Sequence, residues 1–497
     1  MHSPAQMHDP AVSQHVSPEE GRLPIGETWV TASERAPVIF PFDNSVVASA
    51  PVGNAALALA AVDAAWRVRR SVAALTAGTR MDVLHQVADW LRVQTPTLVE
   101  LLILETGKPR VDCETEVART VLTWSLAAQE AARPHGETVP VDLLPGAESL
   151  VASYRRRPAG VVVGIAGFNY PLLLASHKIA PAIAAGCPVI IKPAPATPLA
   201  TLQLVAAVRN ALTAADAPPA TVQAVTGGTE VGAALTTDPR VAVVSFTGSA
   251  AVGHAIARAC APRKALLELG SNSALIVCDD ADLAAAADAV VIGGFYASGQ
   301  ACISVQRVLL MSAIADEFTE LLRARVARIG VGDPRDRLVR VAPLINEAAT
   351  DRVLRWIEAA VAAGARLLAG AHRVGRSISP AIVADVPDGT DLWDEEVFGP
   401  VVALRALDTF EETIEAANRT RYGLQAAVFT SSLARTHRCI DELEVGAVIV
   451  NEVPGFRSDA LAYGGVKDSG IGREGPHWAV QEYSVTKAAV IRPVAGR

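Results

Sequence analysis

Aromatic side chains are scarce in this sequence, 5% of 497 residues, and charged ones make up only 19%. The net charge is −8 and no basic stripe alternates with aromatics, which excludes a nucleic-acid footprint. The short run Arg155-Arg156-Arg157 reads as a solvated or interface patch. No segment offers the ~18 charge-free apolar residues of a membrane helix. The cysteines (Cys113, Cys187, Cys260, Cys278, Cys302, Cys439) are scattered, with no C-x-x-C pair and no histidine at metal spacing. They read as reduced thiols of a cytoplasmic protein, and no metal is expected. The N-terminus, with His2, Asp9, Glu19 and Glu20, lacks the basic-then-apolar layout of a signal peptide. Residues 1–20 read as a disordered lead-in. What the chain has instead is bulk: 51% of it is hydrophobic, and its length exceeds what one core absorbs, so two or more domains are expected.

The order of elements sets the fold class. Short strands near 27–50 precede helical tracts at Ala55–Ala73, Gly78–Glu105 and Cys113–Ala132. Residues 137–158 read as a strand-like arm. From Gly160 the texture becomes strand then helix, repeatedly: Gly160–Ala166, Pro188–Lys192, Thr221–Val225, Val241–Phe246 and Ala265–Leu269 are apolar runs separated by helices. A second series starts near Ala274 and includes Arg307–Met311, Arg366–Ala369, Val401–Arg405, Ala426–Phe429 and Ala447–Val450. Such alternation is an α/β pattern of doubly wound parallel sheets with right-handed crossovers. Ligands in these sheets sit outside the carboxyl ends of the strands. Residues Glu482–Pro493 read as another lone strand.

Reactive residues cluster at those strand ends. Asn169, after Gly160–Ala166, is either a helix N-cap or a donor aimed at an oxyanion. Lys192 closes an apolar strand at the ligand edge. Gly248-Ser249 opens a helix whose N–H groups can meet a phosphate, although the spacing is not the usual G-x-G-x-x-G. Glu268 sits in an apolar strand, where an ionised carboxylate is costly. It is either paired for structure or raised in pKa for general-base work. Cys302 follows the small residues Ala297, Ser298 and Gly299, in a turn ahead of the strand Arg307–Met311. It is either a packed thiol or, with a lowered pKa, a nucleophile.

Seven ordered motifs carry a resemblance. FNYP (from Phe168), KPAPATP (from Lys192), FTGSAAVG (from Phe246), LELGSN (from Leu267), GQACISVQR (from Gly299), EEVFGP (from Glu395) and YGGVKDSGIGREG (from Tyr463) resemble the serial motifs of the aldehyde dehydrogenase superfamily, over roughly residues 25 to 490. The resemblance implies two doubly wound parallel-sheet domains plus a small oligomerisation arm. The dinucleotide-binding domain would be 21–136 and 159–267, the catalytic domain 268–478, and the arm 137–158 with 479–497, giving a homodimer or homotetramer. It implies Cys302 as the nucleophile that forms a thiohemiacetal and then a thioester, Asn169 as oxyanion donor and Glu268 as the base for hydrolysis to a carboxylic acid. It places NAD or NADP on Lys192, Pro195, Gly228, Gly248, Ser249, Leu269, Glu396 and Phe398.

Departures from the pattern narrow this. Pro195 stands where many NAD-preferring members have a glutamate on the ribose hydroxyls, so NADP or dual use is open. Ala297 and Ser298 replace the more usual Asn-Ala, and Ser271 replaces a glycine. Phe168, Glu116-Val-Ala-Arg119 and Phe456-Arg457-Ser-Asp459 resemble the branch acting on small oxygenated or phosphorylated aldehydes, including lactaldehyde, non-phosphorylating glyceraldehyde-3-phosphate and phosphonoaldehyde dehydrogenases. Arg119, Tyr170 and Arg457 would then touch the substrate, the arginines clamping an anionic group or else forming salt bridges. Ala301, where anionic-substrate members often carry arginine, weighs against a phosphorylated aldehyde. The alternatives are an aromatic or general aliphatic aldehyde dehydrogenase, or a CoA-acylating one, against which Glu268 argues.

Overall fold

The computed structural model describes residues 21–133 and 136–493; the expected lead-in, residues 1–20, lies outside them. The apolar runs become the buried strands of two sheets. The first runs, in spatial order, Gly470–Ile471, Lys264–Glu268, Val241–Thr247, Val161–Ile165, Val189–Lys192 and Val222–Ala224. All its pairings are parallel except that of Gly470–Ile471 with Lys264–Glu268. The second runs Arg366–Ala369, Ala381–Ala384, Val401–Leu407, Arg307–Met311, Ala274–Val277, Gln425–Phe429 and Ala447–Val450. It is parallel apart from its first pair. Helices cover both faces, which is why the inner strands are apolar throughout rather than alternating. Each sheet carries its own hydrophobic core.

The two halves interlock. The strand Gly470–Ile471 pairs with Leu267 and Glu268, and Ala479 and Val480 of helix Pro476–Glu482 lie in the first core. The expected span 268–478 thus includes residues that return to the other sheet. A third, antiparallel sheet joins Ser484–Ile491, Val151–Pro158 and Gly136–Val139. Every residue of Ser484–Ile491 after the first is exposed, Val485, Val490 and Ile491 included.

Two local differences from the sequence expectation have simple causes. The tract Gly78–Glu105 is two helices, Ala77–Val93 and Thr95–Thr106. Pro96 lacks the N–H that a continuous ladder needs and starts the second helix instead. Ala381–Ala384 is a buried strand of four residues, too short an apolar run to stand out from its surroundings. Among the described residues no helix is long and apolar enough to cross a membrane.

Candidate active site

The cysteine loop is built on a strained turn. After helix Leu283–Phe295, three successive residues take left-handed backbone angles: Ala297 (φ 48°), Ser298 (φ 57°) and Gly299 (φ 73°). That conformation is unfavourable for residues with a Cβ and persists only where the surroundings impose it. Here the Ala297 N–H donates to Asp112 Oδ2 (3.0 Å), the Ala342 N–H to Ser298 Oγ (2.9 Å), and the Ile345 N–H to Gln300 Oε1 (2.9 Å). A Cβ on Gly299 would collide with the backbone of Gly399, so glycine is required there. The turn delivers Cys302 to the wall of a cavity of about 440 Å³.

The cavity opens at the carboxyl ends of the first sheet's strands, where parallel sheets take their ligands. Asn169 follows the strand Val161–Ile165, and Glu268 ends Lys264–Glu268. Both line the cavity with Cys302, as do Gly248, Ser249 and Leu269 on one side and Glu396 with Phe398 on another. Tyr170, Arg119 and Arg457 line it too. Lys192, Pro195 and Gly228 do not; Lys192 ends the neighbouring strand Val189–Lys192, Pro195 is exposed beyond it, and Gly228 precedes helix Thr229–Thr237.

Asn169 is not the cap of the helix it precedes. Helix Pro171–Ala185 instead has the N–H groups of Leu172 and Leu173 donating to Glu116 Oε1 (2.9 and 3.1 Å). The Asn169 amide donates to the carbonyl of Gln300 (2.9 Å), which ties it to the cysteine loop and leaves its second N–H for the cavity.

The electrostatics of the thiol differ from the sequence expectation. Burial pushes the Cys302 thiol up to about 11, with Glu396 and Glu268 adding to the rise and Tyr463 and Arg457 opposing it. The sulfur is therefore protonated at neutral pH and depends on a base and a donor. Glu268 is buried, and neither of its oxygens has a hydrogen-bond partner among the described residues. Burial, and then the charge of Glu474, hold its carboxyl well above the usual carboxylate range.

Behind Glu268 lies a buried ion network that the sequence did not disclose. Despite burial, Lys178 and His177 hold Glu474 ionised, with Lys178 Nζ 2.9 Å from Glu474 Oε1 and 2.7 Å from Thr247 Oγ1. Arg457 stands 3.5 Å from Glu474 and 3.6 Å from Asp459, and stacks 3.6 Å above the Tyr463 ring. Arg119 grips Asp459 with Nε (3.2 Å) and Nη2 (2.9 Å). The two arginines expected at the substrate are thus ion-paired, yet both still face the cavity, and Arg457 Nε, 3.6 Å from Asp459, makes no hydrogen bond among the described residues. Glu474 and Tyr463 sit inside the quoted glycine-rich motif, but nothing in its spacing says that residue 463 meets residue 302.

The residues expected to hold a dinucleotide fit one. Ser249 caps helix Ala250–Cys260 without using its hydroxyl on the helix, so the helix N-terminus is open to an anion. A Cβ on Gly248 would strike the Phe246 ring, and one on Gly253 the Leu269 side chain, so both glycines allow close backbone approach. Lys192 is buried, with a long 3.5 Å contact to the Pro193 carbonyl, and desolvation brings it down to about 8. A buried ammonium in that state wants hydroxyl acceptors. Glu396 accepts from the Ser271 N–H (3.0 Å), and burial raises it to about 7. Gln306 fixes its segment by accepting from the Val397 N–H (2.9 Å) and donating to the Glu395 carbonyl (2.6 Å). Phe398 meets Phe168 edge-on at 5.7 Å.

Residues 29–489 match the model of the aldehyde dehydrogenase family. The chain is 36% identical over 470 residues to the 3-sulfolactaldehyde dehydrogenase of Priestia aryabhattai, covering 94% of this chain and 97% of that protein. Aldehyde dehydrogenase 21 from Physcomitrella patens, solved with its reaction product succinate, superposes with a TM-score of 0.91 at 34% identity, over 96% of this chain and 99% of that one. Glyceraldehyde-3-phosphate dehydrogenase GapN from Methanocaldococcus jannaschii, solved with NADP, gives a TM-score of 0.89 at 33% identity, over 93% and 100% of the two chains. The motifs, the two parallel sheets and the shared cavity agree with these matches, and the chain belongs to the aldehyde dehydrogenase family.

Proposed function

We propose that this oxidoreductase converts a small oxygenated aldehyde, with a hydroxyl or an acidic tail, into its carboxylic acid through Cys302, with NAD or NADP as oxidant. The observation that carries the reading is that Cys302, Glu268 and Asn169, 133 residues apart in the chain at the extremes, wall one cavity. The Cys302 sulfur bonds to the aldehyde carbon while its proton passes to a base in the cavity. Asn169 and the Cys302 backbone N–H donate to the developing oxyanion; one such donor is worth ~10²–10³ in rate. The chemistry that NAD or NADP would supply, when held by the residues named below, is acceptance of the hydride that leaves the former aldehyde carbon. The resulting thioester on Cys302 is hydrolysed by water that loses its proton to Glu268. Burial gives that carboxylate the basicity the step needs.

Phosphate groups of the nucleotide fit the Gly248-Ser249 helix start, its ribose hydroxyls fit Lys192, and Glu396 serves at the cysteine end. Gly228 and Pro195 flank the adenosine side. On this reading 21–136 and 159–267 bind the nucleotide, 268–478 carries the cysteine, and the exposed edge of Ser484–Ile491 pairs with a second subunit, since an open apolar strand edge is a liability. The free cysteines fit a reducing compartment, which supports a cytoplasmic location on this reading.

Arg119 and Arg457 support an anionic or hydroxylated tail, and the names of the relatives agree: one acts on 3-sulfolactaldehyde, another holds succinate. The test is a panel of lactaldehyde, 3-sulfolactaldehyde, phosphonoacetaldehyde, succinic semialdehyde, propionaldehyde and benzaldehyde, each with both nicotinamides. Fastest turnover of benzaldehyde or propionaldehyde would overturn the substrate class. Acyl-CoA formation on adding CoA would overturn the hydrolytic step.

A further inference from the structure

Helix Arg110–Ala132 lies outside both sheets, yet one of its faces reaches the turn before Cys302, the segment after Asn169 and the loop that leads to Tyr463. Asp112, Glu116 and Arg119 stand at i, i+4 and i+7, one above another on that face. Asp112 accepts from Ala297 in the turn before Cys302. Glu116 accepts from Leu172 and Leu173, the start of the helix after Asn169, and is ion-paired with Lys108, whose ammonium lies 3.7 Å over the Tyr170 ring. Arg119 holds Asp459, on the loop leading to Tyr463. Asp112 and Glu116 are both buried, so both contacts are shielded from water.

We infer that Asp112 is a positioning residue for Cys302: its carboxylate holds the left-handed Ala297-Ser298-Gly299 turn that aims the thiol into the cavity. The inference rests on Cys302 being the nucleophile. A non-Gly residue at φ 48° leaves that region when its restraint is removed. The Ala297 N–H is the group Asp112 restrains, and it starts the turn. Asp112 does not line the cavity, so it is placed to act on Cys302 through the turn.

The experiment compares Asp112→Ala, Asp112→Asn and the double variant Asp112→Ala with Ala297→Gly. Two rates are read: oxidation of lactaldehyde, and alkylation of Cys302 by iodoacetamide followed by mass spectrometry, which needs no turnover. Asp112→Ala should lower both rates about tenfold, the worth of a buried hydrogen bond, with NAD(P) affinity within about twofold of the parent. Asp112→Asn keeps an acceptor and should retain most of both rates. Glycine adopts positive φ without strain, so the double variant should recover part of the loss. If Asp112→Ala proves insoluble, Asp112→Ser, whose hydroxyl stops short of the Ala297 N–H, takes its place. Parent-like alkylation in the Ala or Ser variant, a loss in Asn equal to that in Ala, or no recovery in the double variant would overturn the inference. Failure of Cys302→Ala to abolish oxidation would instead overturn the nucleophile, a separate outcome.

Discussion

The hydroxyl of Tyr463 lies 2.9 Å from the sulfur of Cys302. This contact offsets part of the burial that raises the thiol to about 11, because a phenol O–H bonds a thiolate more strongly than a neutral thiol, which is only a weak acceptor. Tyr463→Phe removes the donor and keeps the ring under Arg457. It should slow Cys302 alkylation below pH 9 and reduce kcat/KM by about tenfold or more, as expected for a hydrogen bond to a charged group. Rates equal to the parent at pH 7 would show that the phenol does not serve the thiolate.

Glu268 has to lose its proton before it can accept one from water, and its carboxyl is held well above the ordinary carboxylate range. Hydrolysis should therefore fall as pH drops through that raised value, placing the acid limb of kcat above pH 4.5. In Glu268→Gln the first turnover should release a burst of reduced cofactor and the steady state should then drop by ~10²–10⁴. Rapid-mixing absorbance at the reduced nicotinamide band reads both phases. A Gln variant with unchanged steady-state rate would remove Glu268 from the deacylation step.

The parts that sequence made legible share a property: each is local. Buried strands such as Val161–Ile165 and helix Ala250–Cys260 follow from runs of apolar residues and a single helical period. The strand-end residues Asn169, Glu268 and Cys302 could be picked out because such ends are where parallel sheets hold ligands. What stayed hidden depends on long-range closure. Lys178 reads as one of three polar residues in an otherwise apolar helix, and only the fold brings it to Glu474, 296 residues later. Gly470–Ile471 is a strand because Leu267 and Glu268 pair with it. The raised pKa of Cys302 was out of reach for the same reason: it depends on how much of the surrounding chain excludes water.

Glu105 makes stability depend on pH. It is fully buried at the start of helix Leu199–Ala214, accepting from Leu199 (2.8 Å) and Ala200 (3.1 Å), and burial raises its carboxyl from 4.5 to about 8. Between those values the folded state carries a proton that the unfolded chain has lost. Its contribution is therefore complete below pH 4.5 and is lost as pH rises to about 8; the slope is at most about 1.4 kcal/mol per pH unit. Glu105→Gln should flatten the fall in Tm across that window. An unchanged slope in calorimetry would mean that the carboxyl is ionised in the fold.

Pro195 controls the choice of cofactor if the nucleotide lies as proposed. It is exposed, three residues beyond Lys192, and offers neither an acceptor for ribose hydroxyls nor a negative charge against a 2′-phosphate. Pro195→Glu supplies both. The KM for NADP should rise about tenfold relative to that for NAD, since a carboxylate beside a phosphate is repelled as well as unpaired. Initial rates with each cofactor measure the ratio; a ratio unmoved by the substitution would place the adenosine ribose elsewhere.

Substitution of Arg119 tests whether the proposed substrate carries an anionic tail. Its guanidinium spends Nε and Nη2 on Asp459, while the side chain, 24% exposed, still faces the cavity. A sulfonate or carboxylate tail can take the remaining N–H groups without breaking the pair, because a guanidinium carries five donors in a fixed fork. Arg119→Ala removes those donors and also leaves the buried Asp459 with fewer cations, so the pocket becomes more negative. Both effects act against an anion. With 3-sulfolactaldehyde, kcat/KM should fall by about 10–100-fold, whereas with propionaldehyde the change should stay within about threefold. Lysine at this position restores the charge but not the fork and should recover only part of the loss. An equal drop for both aldehydes would mean that Arg119 serves the Asp459 loop alone and that the substrate's tail lies against other residues.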